Sequence, residues 1–140
     1  MLERVHEHIL SELQQVTRTD TVTVLTAVAF NLLVLGINSA MAGGVHDTDG
    51  IRMMSLISFV IFLAATLIVS GLAIRALGIG KQSRTTLLQG MVAMYVDNEV
   101  DKYYDVMLLT NYSRRYVLFN GVIIVLAVVA ILVPLTISLR

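Results

Sequence analysis

The sequence predicts an all-α membrane protein with three transmembrane helices, an amphipathic N-terminal helix and a cytoplasmic, amphipathic helical connection between the second and third spans. The mean hydropathy is +0.80, only 14% of the residues are charged, and three apolar runs are long enough to cross a bilayer. A helix needs roughly 20 apolar residues to cross the hydrocarbon, where its backbone must be paired internally. A soluble domain of 140 residues could not hide so much apolar surface in one core.

The chain divides into five segments of a single membrane domain. They are an amphipathic cytoplasmic helix at 1–17, a first span at 21–45, a second span at 53–77, a cytoplasmic helical connection at 81–115 and a third span at 116–139. Polar Thr17 to Asp20 predicts a break before the first span, with Thr19 or Asp20 as its cap. Gly43 to Arg52 predicts an outer turn. Gly78 and Gly80 predict the end of the second helix or a hinge.

The two cytoplasmic segments have apolar residues at helical spacing. In the first these are Leu2, Val5, Ile9, Leu13 and Val16. In the connection they are Val92, Val96, Val100, Tyr103 and Met107. Each pattern predicts an amphipathic helix that lies on the membrane surface or packs against the other cytoplasmic segment.

Lysine and arginine predict the orientation, because cytoplasmic loops retain positive charge during insertion. With the N-terminus inside, eight basic residues are cytoplasmic and two, Arg52 and Arg140, are outside. The eight are Arg4, Arg18, Arg75, Lys81, Arg84, Lys102, Arg114 and Arg115. We therefore expect a multi-pass protein of the cell membrane, an inner membrane, with a cytoplasmic N-terminus and an external C-terminus.

The first span carries two amides and a row of small residues. Asn31 and Asn38 lie two helical turns apart, and an amide that faced lipid would remain unpaired at a cost of several kcal/mol. Gly36, Ala40 and Gly44 recur every four residues and permit close helix packing. The amides either bond to neighbouring helices or line a water-filled path for ions.

The connection carries three aspartates at four-residue spacing, Asp97, Asp101 and Asp105. A helix places them on one side, roughly opposite the apolar residues. This acidic ridge is either a solvated helix face or, in a symmetric oligomer, a carboxylate ring that concentrates cations at a pore mouth.

Several function classes lack the residues they need. No catalytic constellation, metal-ligand spacing or phosphate loop is present, so we expect no enzyme activity, metal or cofactor. His6 and His8 point to different sides of a helix. The spans hold no deep ionisable residue for a proton relay or voltage sensor. A formal net charge of zero gives no reason to expect nucleic-acid binding.

Two function classes remain. The first is a homo-oligomer in the lipid bilayer, with its helices around an ion- or water-conducting pore and its cytoplasmic helices as a collar. The alternative is a noncatalytic accessory or scaffold subunit that packs against another membrane protein. The sequence favours the homo-oligomer slightly, because its small-residue row suits self-association.

Overall fold

The protein folds into three long helices. The computed structural model describes residues 2–44, 49–99 and 107–138. The helices are α1 (Leu2–Gly44), α2 (Asp49–Asp97) and α3 (Met107–Ser138). Within these ranges only the turn at Asn98 and Glu99 is not helical, and each helix contacts the other two. The predicted all-helical class is confirmed.

All three helices are long and apolar enough to cross a membrane. The most apolar window of each has a mean hydropathy of 1.9, 2.6 or 2.8, and only 22%, 17% or 22% of it is buried inside the chain. An outer surface of this kind suits lipid, since water would penalise so much exposed apolar area. The protein is therefore a multi-pass membrane protein.

The predicted break at Thr17 to Asp20 is wrong, because α1 is continuous through these residues. The hydroxyls of Thr17 and Thr21 donate to the carbonyls of Leu13 and Thr17, at 2.8 and 2.9 Å. These bonds run back along the helix by one turn, so the threonines do not cap a new helix. The N-terminal segment and the first span thus form one continuous helix of about 65 Å.

The predicted end or hinge at Gly78 and Gly80 is also wrong, since α2 continues to Asp97. Leu77 and Arg84 are buried on either side of the glycines, and this packing outweighs the weak helix propensity of glycine. The predicted outer turn, Gly43 to Arg52, is partly helical. Gly43 and Gly44 end α1, and residues 49–52 begin α2.

The connection is not one helix, because α2 ends inside it. The amides of Asn98 and Glu99 donate to the carbonyls of Tyr95 and Val96, at 3.3 and 3.1 Å. Glu99 has a φ of 57°, a left-handed conformation of the kind that terminates helices. Val100 and Tyr103 lie outside the described residues, and Met107 begins α3.

Side-chain contacts define the register of α1 and α2. The contacting pairs are His6 with Tyr95, Thr17 with Arg84, and Asn31 with Ser70. From one pair to the next, the residue number rises along α1 by the same amount as it falls along α2, so the two helices are antiparallel. Tyr116 on α3 bonds to Asp20 on α1. Seven residues further along each helix, Ile123 of α3 and Ala27 of α1 lie in one core cluster, so α3 is parallel to α1 and antiparallel to α2.

Buried residues recur at alternating four- and three-residue steps on all three helices. They include Ala27, Asn31, Val34 and Asn38 on α1; Thr66, Ser70, Ala73 and Leu77 on α2; and Ile123, Ala127, Ala130 and Pro134 on α3. A seven-residue repeat keeps one seam of each helix against its neighbours, as in left-handed supercoiled bundles. The core is narrow and contains small and polar side chains.

Candidate functional site: buried polar groups between the helices

A buried polar cluster joins the three helices where the apolar part of α3 begins. This interfacial cluster consists of Thr17, Asp20, Arg84 and Tyr116. The Tyr116 hydroxyl donates to a carboxylate oxygen of Asp20, and the Arg84 guanidinium donates to the Thr17 hydroxyl. Asp20, Arg84 and Tyr116 are only 5%, 7% and 4% exposed. Charges buried this deeply require partners, and the cluster supplies them from all three helices.

Gly80 makes room for the interfacial cluster on α2. A Cβ atom at this position would overlap the carboxylate of Asp20, and would lie 3.1 Å from its Cγ. The absence of a side chain therefore allows α2 to approach α1 at the level of the carboxylate. In contrast, a Cβ at Gly78 would meet nothing within 4 Å.

A small recess, too tight for a water molecule, adjoins the interfacial cluster. It is lined by the four cluster residues together with Arg115 and Phe119 of α3. The Arg115 Cζ lies 5.0 Å from the centroid of the Phe119 ring, within cation–π range. Arg115 itself is exposed, so its charge lies on the surface of the bundle beside the buried cluster.

The first of the two amides bonds across the bundle. The Asn31 Nδ2 donates to the Ala27 carbonyl at 2.9 Å and to the Ser70 hydroxyl at 3.3 Å. The Ser70 hydroxyl is also 3.5 Å from Asn31 Oδ1. Asn31 is 1% exposed, so its amide faces protein and not lipid.

The second amide lies in the same core, two turns further along α1. Asn38 is 2% exposed, and its Oδ1 has no hydrogen-bond partner among the described residues. Thr66 is buried in α2, where its hydroxyl donates to the Phe62 carbonyl at 2.9 Å. Pro134 is buried in α3 and has no amide hydrogen to donate. This part of the core therefore contains an acceptor that the described residues do not satisfy.

The small-residue row of α1 lies apart from the amides. Gly36 and Ala40 are exposed, and a Cβ at Gly36 would meet nothing within 4 Å. Gly44 is the last residue of α1. Within this chain, α1 therefore packs through its amide-bearing seam, and the face with Gly36 and Ala40 is left uncovered.

Of the three aspartates of the acidic ridge, only Asp97 is described. It is exposed and ends α2. Asp101 and Asp105 lie outside the described residues, so the ridge stays a prediction. In the part of the chain that the structure covers, no three His, Asp or Glu side chains are grouped as metal ligands.

The interfacial cluster has little signal in the sequence. The residue pattern predicts only a possible helix cap at Asp20 and a cytoplasmic charge at Arg84. One signal was available for Arg84, because it stands seven residues from Leu77 and Met91, both of which are buried. Its pairing with α1 had no local signal, since the bonded residues are 67 positions apart.

No protein-family model, curated protein or solved structure matches this chain.

Proposed function

We propose that this protein is a noncatalytic structural subunit of a membrane assembly, in which the bundle serves as an anchor and presents a helical stalk to a partner. The observation that carries the proposal is the bond between Asn31 and Ser70. This bond uses the Asn31 amide to pack two helices of the same chain. A pore formed between chains would instead need that amide on the outward face of the bundle. This is the accessory-subunit class.

The stalk consists of residues 3–16 of α1 and 85–97 of α2. The His6 and Tyr95 rings lie 5.8 Å apart, so the two helices remain together near its tip. Leu88 and Met91 are buried within it. The 14 residues of α1 extend about 20 Å beyond the interfacial cluster. A paired extension of this length supports a role in holding a partner at a fixed distance from the bilayer.

The orientation in this proposal follows the basic residues. With the stalk in the cytoplasm, eight of the ten basic residues are on the cytoplasmic side. The parallel course of α1 and α3 places the C-terminal end of α3 at the opposite end of the bundle from the stalk tip. A protease-accessible tag at each end tests this. Cleavage of an N-terminal tag by protease added outside intact cells would show that the N-terminus is external and would refute the proposed orientation.

The pore-forming homo-oligomer is the second candidate. The Oδ1 of Asn38, which no described residue satisfies, favours it, because a buried acceptor of this kind suits a hydrated interior. In such an oligomer, the uncovered face with Gly36 and Ala40 would form the contact between copies.

Ion flux and native mass distinguish the two functions. We expect the purified chain to carry no flux in vesicles, and a gently solubilised membrane to contain it in a larger complex than the lone chain forms. The matched variants are Asn31→Leu and Leu32→Asn, because Leu32 is the exposed neighbour of Asn31. Vesicle flux with a selectivity that changes in Asn31→Leu, while assembly survives, would refute the structural-subunit proposal.

A further inference from the structure

We propose that the core between Asn38 and Pro134 holds one bound water molecule, which donates hydrogen bonds to the Asn38 Oδ1 and to the backbone carbonyl of Ala130. All three residues are 2% exposed or less. The site is a closed hydration site within a single chain, and it does not depend on the function proposed above.

The amide oxygen of Asn38 is the first acceptor. It receives no hydrogen bond from the described residues. The buried hydroxyl of Thr66 is already committed, because it donates to the Phe62 carbonyl at 2.9 Å. Leaving a buried amide oxygen without a donor is costly, and acceptors of this kind in protein cores are commonly satisfied by an ordered water.

Pro134 creates the second acceptor. In an α-helix the amide of residue 134 would donate to the carbonyl of Ala130, but proline has no amide hydrogen. A carbonyl freed in this way in a membrane helix is satisfied by a polar group of a neighbouring helix or by an ordered water. Ala130 is itself buried, so this carbonyl must find its donor inside the bundle.

The register of the helices brings the two acceptors to the same level. Asp20 of α1 bonds to Tyr116 of α3, 96 positions later, and the same offset places Pro134 level with Asn38. Neither oxygen can donate to the other. A water molecule has two O–H donors, one for each of them.

The neighbouring layer of the core shows which donor is missing here. Two turns earlier along α1, Asn31 bonds to the Ser70 hydroxyl of α2. The antiparallel register places Leu63 of α2 at the corresponding position opposite Asn38, and leucine has no hydrogen-bonding group. The water molecule therefore takes the part that the serine hydroxyl plays in the Asn31 layer.

Magnetisation transfer from water, measured by NMR on the isotope-labelled full chain in lipid nanodiscs, tests this proposal. We expect transfer to the side-chain amide protons of Asn38. We expect none to the backbone amide proton of Val34, which is buried one turn away on the same seam. Transfer to both would indicate a continuous column of water, and transfer to neither would indicate a dry core. Either result would overturn the proposal.

Two variants identify the source of the transfer. Thr66→Val removes a hydroxyl whose exchanging proton could imitate a bound water, so the transfer to Asn38 should persist, and its loss would count against the site. Pro134→Val keeps a compact apolar side chain and returns an amide hydrogen to the Ala130 carbonyl, so the transfer should be lost or strongly reduced. Unchanged transfer in Pro134→Val would show that this carbonyl does not hold the water. Helix content measured by circular dichroism confirms that each variant is folded.

Discussion

Gly80→Ala should destabilise the bundle, although alanine is the better helix former. The new Cβ would overlap the carboxylate of Asp20, which would have to move away from the Tyr116 hydroxyl that donates to it. Gly78→Ala makes the same chemical change in the same helix, where a Cβ meets nothing within 4 Å. Comparing the two variants distinguishes the effect of the overlap with Asp20 from the effect of the higher helix propensity of alanine.

The expected magnitudes follow from two opposing effects. Replacing a helical glycine by alanine stabilises by about 0.5–1 kcal/mol, and this gain is common to both variants. Loss of a hydrogen bond to a charged group costs about 1.5–3 kcal/mol, and only Gly80→Ala incurs it. Gly78→Ala should therefore be slightly more stable than the wild type, and Gly80→Ala less stable by about 1–2 kcal/mol.

Reversible unfolding in mixed detergent micelles, followed by circular dichroism, measures both variants. Combining each with Tyr116→Phe completes the test. The phenylalanine should cost stability in the wild type and in Gly78→Ala, but much less in Gly80→Ala, where the bond to Asp20 is already lost. If Gly80→Ala proves as stable as Gly78→Ala, Asp20 does not occupy the space beside Gly80 and the reasoning fails.

Three further predictions concern the bundle and the stalk. Changing Asn31→Ala and Ser70→Ala, singly and together, should give a coupling free energy of about 0.5–1.5 kcal/mol in a double-mutant cycle; additive effects would contradict their bond. The chain has no cysteine, so a single spin label can be attached at Leu32→Cys or at Asn31→Cys. Oxygen dissolved in lipid should relax the label at position 32 much faster than the label at position 31, and equal relaxation would contradict the buried position of Asn31. His6→Cys combined with Tyr95→Cys should be cross-linked within one chain by a short bifunctional thiol reagent, because the two native rings lie 5.8 Å apart; a cross-linked dimer alone would contradict their contact in the stalk.

Much of the fold could be predicted from local patterns. The three spans follow from charge-free runs, because lipid requires uninterrupted apolar helices. The cost of an unpaired amide in lipid predicts that the Asn31 side of α1 faces protein or water, and both amides are buried. These inferences depend only on composition within one helix and on the cost of a polar group in hydrocarbon.

The helix ends could not be predicted in the same way. Thr17 and Asp20 have the residue types of a helix cap, and Gly80 that of a helix end, but each meets a partner on another helix. Their partners are far away in the sequence: Tyr116 stands 96 residues after Asp20. Tertiary packing therefore decides whether these residues interrupt a helix, and local propensity cannot supply that information.

The seven-residue repeat of the core limits how this protein can change in length. Inserting one residue into α1 between Asp20 and Asn31 would turn everything beyond it by about 100°, and would carry both asparagines from the seam toward the acyl chains. An insertion of seven residues would nearly restore the phase, provided that α2 and α3 lengthened equally. A longer bundle with the same packing would thus need whole heptads added to all three helices at once, so its hydrophobic length can change only in steps of about 10 Å.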